Sequence, residues 1–168
     1  MTEKNKNIRQ SASAYFTSRK AGLEMFAGIR FRMEHVAQVN GIDFINDSKA
    51  TDLESAFCSL ELMEQPVTWM AGASEFDEDY SVFLKLVKFK VVTLVVFGSN
   101  DTSIKETLGV FADHYVHSTD FEDAFFHAMK YTKKGGVVLF SPACTSFEMF
   151  SDYKERGEKF NQMVNGLK

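Results

Sequence analysis

The sequence predicts an α/β fold: an open, mostly parallel sheet with helices on both faces, preceded by a β-hairpin and an N-terminal helical arm. Three observations point there. From about residue 67 onward, short β-prone runs alternate with segments whose apolar residues recur at helical spacing. The run Lys90-Val-Val-Thr-Leu-Val-Val-Phe97 is apolar without alternation and stops at Gly98, as a central strand covered on both faces does. The connections between these runs are short and marked by Gly or Ser, which suits strand–helix units of a parallel sheet.

The elements follow in order. Residues 1–7 are polar, and from Ile8 to about Phe26 apolar residues recur at helical spacing, broken near Ala21-Gly22. That break divides a helical arm, residues 1–21, from a main domain, residues 22–168. Residues 34–47, EHVAQVNGIDFIND, hold two β-prone runs joined by Asn40-Gly41, a pair that tolerates the positive φ of a tight hairpin turn. A helical pattern begins at Asp52, with Thr51 or Ser48 available as its cap. Then come a strand at Val67–Met70, a helix at Tyr80–Lys88, the central strand, a helix at Thr102–Phe111 and a weak strand at His114–His117. A helix from Asp120 to Lys133 is stopped by Gly135-Gly136, a buried strand spans Val137–Phe140, and a last helix starts near Arg156. This order is Rossmann-like. In such sheets ligands sit at the carboxyl ends of the strands.

Composition narrows the function classes. A chain of 168 residues, 45% hydrophobic and with 17 Phe, can bury a proper core. A formal charge of -4 gives no basic field to gather phosphates, so nucleic acid is not an expected partner. Two cysteines, Cys58 and Cys144, make no disulfide framework and no zinc spacing, and read as small buried side chains in a reducing compartment. The amino terminus lacks an apolar stretch suited to a signal peptide, and no run approaches the roughly 20 apolar residues that span a bilayer. A cytoplasmic protein with no membrane partner is expected.

Two segments stand at strand ends and carry the candidate chemistry. One is Asn46-Asp47-Ser48-Lys49-Ala50-Thr51-Asp52; the other is Ser141-Pro142-Ala143-Cys144-Thr145-Ser146-Phe147. Both are dense in small hydroxyl residues, and Lys49 adds a cation. Hydroxyls and a lysine beside a helix start, where backbone N–H groups point outward, suit a carboxylate or a phosphate. Ordinary helix capping explains the same composition.

The strings themselves go further. NDSKATD resembles the NDSKATN motif of the D-glutamate-adding Mur ligases. SPACTSFEMFSDYKERGEKF is similar to that family's SPACASFDQF…RG…F segment, and GIRFRMEHV resembles its G-x-x-HR-x-E opening. The three stand in the family's order, and the resemblance covers residues 22 to 168. It implies the carboxy-terminal domain of a ligase that activates a carboxylate with ATP and magnesium before an amine attacks it. That domain delivers the incoming amino acid and closes over the nucleotide. Carried over residue by residue, the resemblance implies D-glutamate binding by Lys49, Thr51, Ser146, Phe147 and Tyr153, and nucleotide binding by Arg32 and Asp47.

The sequence also departs from the family. The Gly-rich phosphate-binding loop with G-K-[ST] is not in these 168 residues. ATP and magnesium are therefore implied only together with further domains, which a separate chain carrying the ATPase domain could supply. No ATP turnover is expected from the chain alone. After the strand at residues 67–70 the family has a lysine in a GG-x-DKG-like turn; here Glu75, Asp77, Glu78 and Asp79 crowd the turn instead. Opposite charges about 4 Å apart are worth roughly 4 kcal/mol at an effective dielectric of 20, so this exchange weakens any glutamate site, unless the acids merely favour the helix that follows. Phe31 stands where the family has a histidine, and Asp52 replaces the last asparagine of NDSKATN. Three readings remain: a piece of a longer or split ligase, a stand-alone relative that binds another small ligand or a cell-wall partner, and an interaction module displaying Phe16, Phe26, Phe31, Phe121, Phe125 and Phe126.

Overall fold

The computed structural model describes residues 28–73, 78–146 and 149–168. The expected helical arm, the acids Glu75 and Asp77, and Phe147 lie outside the described residues.

The chain opens with strands β1 (Glu34–Val39) and β2 (Ile42–Asn46), then helix α1 (Leu53–Leu62) and strand β3 (Val67–Gly72). A 3-10 turn (Tyr80–Phe83) runs into α2 (Leu84–Lys90), followed by β4 (Val91–Phe97), α3 (Thr102–Leu108) and β5 (His114–Ser118). Helix α4 (Phe121–Tyr131), β6 (Val137–Phe140) and α5 (Tyr153–Asn165) complete it. Among the described residues the strands form one six-stranded sheet in the order β1-β2-β6-β3-β4-β5. The β1–β2 pair is antiparallel; β2–β6, β6–β3, β3–β4 and β4–β5 are parallel.

The hairpin forms as expected. Val39 pairs with Ile42 across a two-residue turn, and Asn40 and Gly41 both have positive φ, 52° and 77°. Their sequence is what lets two left-handed residues stand in a row there.

The unbroken apolar runs are explained by coverage on both sides. Along β4, Leu94 and Val96 face the cluster built with Ala56 and Leu60 of α1, Val87 of α2, and Ile104 and Leu108 of α3. Val95 and Phe97 face the opposite cluster, with Phe121, Phe125 and Ala128 of α4 and Phe160 and Val164 of α5. In β6, Val137 and Leu139 join the first cluster while Val138 and Phe140 join the second. Successive residues point to opposite faces, so a strand with helices on both faces needs an apolar side chain at every position.

Several element ends differ from expectation, and capping accounts for most of them. Asp52, rather than Thr51 or Ser48, caps α1, its Oδ1 accepting from the Ser55 N–H at 2.8 Å. The last helix begins at Tyr153, not near Arg156, because Asp152 Oδ1 accepts from the Lys154 and Glu155 N–H groups at 2.8 Å each. Asp79 caps the turn at Tyr80 through the Ser81 N–H, 3.0 Å away. Lys90 ends α2 instead of opening the strand. Its ammonium donates to the carbonyls of Glu61 at 2.6 Å and Met63 at 2.7 Å, satisfying acceptors that the end of α1 leaves open. Helix α3 stops at Leu108, three residues short of expectation, and leaves Val110 and Phe111 exposed.

Among the described residues the aromatic display surface is not formed. Phe31, Phe121 and Phe125 are buried, and Phe126 is exposed; Phe16 and Phe26 lie outside the described residues. The buried phenylalanines serve the core instead, packing edge-to-face as Phe121–Phe140 and Phe125–Phe160 and stacking as Phe140–Phe160. Cys58 and Cys144 are buried, as expected.

Candidate functional site

β2, β6 and β3 end side by side, and the two motif segments leave the first two of them. The sheet ladder carries on into the loops: the Asp47 N–H donates to Phe140 O at 2.7 Å, and the Ser141 N–H to Met70 O at 3.3 Å. The Ala143 N–H then donates to Ala50 O at 3.0 Å, joining the middle of one motif to the middle of the other. Gly72, the last residue of β3, donates its N–H to Pro142 O at 2.8 Å. It must be glycine, because a Cβ there would sit 2.2 Å from Cys144 Sγ. The two segments thus form one rim at the carboxyl edge of the sheet.

Asp47 anchors the rim from below. It is buried, and its carboxylate accepts from three places: the Met33 N–H at 3.1 Å, Ser59 Oγ of α1 at 2.5 Å and Ser141 Oγ at 2.9 Å. Burial pushes its carboxyl up to about 6, against the opposing pull of the Ser59, Ser141 and Met33 hydrogen bonds and the Arg32 charge. Arg32 itself is half-buried.

Asn46 and Ser48 turn the other way, toward α5. Asn46 Nδ2 donates to Gly157 O at 2.8 Å and to Asn161 Oδ1 at 2.7 Å, while Asn46 Oδ1 accepts from the Ser48 N–H. Ser48 Oγ donates to Tyr153 O at 2.8 Å. Arg156, fully buried, reaches both segments: Nε donates to Ser48 Oγ at 3.1 Å and Nη2 to Ser48 O at 3.0 Å. Its Nη1 donates to Cys144 O at 3.1 Å and Thr145 O at 2.9 Å. Burial lowers its pKa from the ordinary arginine value, with the neighbouring Cys144 opposing.

The opening segment lies over the same helix. Phe31 has a left-handed backbone, φ 64°, and is buried against Gly157, where a Cβ would meet the ring at 2.4 Å. Arg30 covers the outer side of that ring, its guanidinium 4.7 Å from the centroid and 2.5 Å from Glu158 Oε2. Phe31 O accepts from the Lys49 N–H at 2.9 Å, so the residue standing in for the family's histidine supports the first motif through its backbone.

Lys49 and Tyr153, expected on the amino-acid side, come together: Lys49 Nζ lies 5.7 Å from the Tyr153 ring centroid, and both are half-buried. Thr51 is half-buried on the same loop, two residues on. Ser146 is buried on the second loop, and its carbonyl accepts from the Met149 and Phe150 N–H groups. Phe147 is not among the described residues. Of the four acids in the segment that follows β3 in the sequence, Asp79 is occupied in capping, and Glu75 and Asp77 are not among the described residues. The sequence reading gave no role to Arg156, Asn46 or Asn161. One signal was there: Arg156, Phe160 and Val164 fall four apart, which puts the arginine on the apolar face of its helix. Among the described residues no cluster of three or more His, Cys, Asp or Glu is placed to hold a metal ion, and no helix is long and apolar enough to cross a membrane.

A mostly parallel sheet covered by helices on both faces, with two interlocked loops at its strand ends, defines a Rossmann-like α/β domain. Residues 31–144 match the family profile described as Mur ligase, glutamate ligase domain. The UDP-N-acetylmuramoylalanine--D-glutamate ligase of Geotalea uraniireducens is 42% identical over 147 residues, covering 88% of this chain and 32% of that protein. A murein peptide ligase structure from Psychrobacter arcticus superposes with a TM-score of 0.56 at 14% identity, over 84% of this chain and 30% of that one. The MurF ligase of Thermotoga maritima in complex with ADP gives 0.54 at 17% identity, over 84% and 32%. These two structures share its fold. The chain belongs to the Mur ligase family, in the glutamate ligase domain, and spans about a third of the length of the curated relatives it matches.

Proposed function

We propose that this chain is the amino-acid-presenting domain of a cytoplasmic D-glutamate-adding Mur ligase. In this reading Lys49, Thr51, Ser146, Phe147 and Tyr153 form the glutamate side, and Arg32 with Asp47 the nucleotide side. The observation that carries it is the Ala143–Ala50 hydrogen bond of 3.0 Å, which sets the two motif loops on one rim. Lys49 and Thr51 then stand on the loop after one strand and Ser146 on the loop after its neighbour, a cation and hydroxyls of the kind that suits a carboxylate.

On the nucleotide side, Arg32 suits a phosphate by charge and by its fork of donors. Asp47 works from beneath: its oxygens already take three interior donors, so it holds Met33 and with it the backbone that places Arg32. ATP, when bound, supplies the activating phosphoryl group. Residues for magnesium and for the phosphate loop would come from domains outside these 168 residues. This chain's own part is to bind the amino acid, orient its amine and close the site.

The test is an NMR titration of the chain with D-glutamate and, separately, L-glutamate. Saturable shifts at the Lys49, Thr51 and Ser146 amides that favour the D-enantiomer are expected. The affinity should be about 1 mM or weaker, because the turn after β3 lacks the family's lysine and carries acids. Shifts confined to other regions, or an equal response to both enantiomers, would overturn the assignment.

A further inference from the structure

The group that the family resemblance leaves without a role, and that the structure places at the centre of the rim, is Arg156. We propose that Arg156 is a positioning residue that sets the distance between the Lys49 loop and the Ser146 loop, and so the size of ligand the rim accepts. The inference rests on the amino-acid-binding reading of those loops and adds to it the device that holds them.

The geometry supports this in three ways. First, the guanidinium bonds the residue before each predicted ligand contact: Ser48, ahead of Lys49, through both Oγ and O, and Thr145, ahead of Ser146, through its carbonyl. One planar group of fixed dimensions therefore spans the gap. A lysine could not do so, since its three donors radiate from a single nitrogen. Second, the partners lie 108, 12 and 11 residues away in sequence, so the guanidinium adds a side-chain bridge to loops that the Ala143–Ala50 backbone hydrogen bond already joins. Third, the acceptors of the guanidinium are three carbonyls, one hydroxyl and the Cys144 sulfur at 3.8 Å, and none of them is a carboxylate. A buried charge without a carboxylate is costly to stability, and an apolar residue of similar volume fills such a space at least as well. What the arginine supplies beyond filling is geometry.

That contrast separates a positioning role from a packing role. Arg156→Met keeps the volume and removes the fork; Arg156→Lys keeps the charge and removes the fork. The expected result in both is a rise of at least tenfold in hydrogen exchange at the Lys49, Ala50 and Ala143 amides, with core amides such as Trp69 and Val95 unchanged. Lysine should fail to rescue. In the D-glutamate titration, selectivity for D-glutamate over the one-carbon-shorter D-aspartate should fall in both variants. Rim amides as protected in Arg156→Met as in the parent would overturn the proposal, and so would a uniform loss of protection across all amides. Should a variant not fold, the parent decides: the Arg156 Nε–H must exchange slowly with water, and fast exchange refutes the bridge. Rim loosening in the variants while the parent ignores both amino acids would support the bridge and remove the D-glutamate reading alone.

Discussion

Replacing Asp47 by asparagine should change how the stability of the chain depends on pH. The buried carboxyl of Asp47 has its pKa raised from 3.8 to about 6 by burial. In the unfolded chain it returns to the ordinary value, so between about pH 4 and 6 the folded state binds the proton and the unfolded state does not. The contribution to stability is fully present below about pH 3.8 and is lost as pH rises through about 6. At about 1.4 kcal/mol per pKa unit, the rise of about two units is worth about 3 kcal/mol. Asp47→Asn has no such titration. Its amide oxygen still accepts from the Met33 N–H, and its nitrogen can donate to Ser59 Oγ and Ser141 Oγ, which turn to accept. The stability of the variant minus that of the parent should therefore increase by about 2 kcal/mol from pH 4 to pH 7, most of that total. Urea unfolding followed by fluorescence of Trp69, the single tryptophan and fully buried, measures it. Parallel pH profiles for the two proteins would refute the reasoning, because Asp47 would then titrate alike in both states.

Two further outcomes follow from close contacts beneath the rim. Gly157→Ala should cost about 1–3 kcal/mol, the usual range for overpacking, because the new Cβ meets the Phe31 ring at 2.4 Å; combining it with Phe31→Ala should recover most of that loss, and strictly additive urea-unfolding energies would exclude the contact. Trp69→Phe removes the indole N–H that Ser141 O accepts at 2.7 Å. The stranded carbonyl alone costs about 1–3 kcal/mol, read by circular dichroism in urea, and a variant as stable as the parent would show that Ser141 does not depend on the indole.

Local chemistry was readable from the sequence wherever neighbours decide it. The Asn40-Gly41 hairpin and the apolar strands at 91–97 and 137–140 follow from turn residues and from coverage on both faces. Helix starts were less legible, because Ser48, Thr51 and Asp52 are all competent caps, and the choice of Asp52 turns on Ser48 being taken by Tyr153 and Arg156. The two rim segments could be found from their strings and from their places at strand ends. Their support could not. The spacing of Arg156 with Phe160 and Val164 puts it on the inner face of its helix, but nothing local says what it bonds until the first motif, 108 residues earlier, is folded against it. Phe31 likewise gives no local sign that its backbone is left-handed and its ring lies on a glycine in the last helix.

The sheet order has a consequence for how the molecule is made. β6 lies between β2 and β3, so the hairpin and the β3–β4–β5 block have no ladder between them until residues 137–140 are inserted. During synthesis from the amino terminus, each block waits with an open edge, exposed to mispairing, until β6 leaves the ribosome. The rim is made from the loops that leave β2 and β6 and is tied down by α5, the final helix. The rim therefore needs both β6 and α5 in place, and a chain cut before them lacks the second loop and the guanidinium that ties the two loops together.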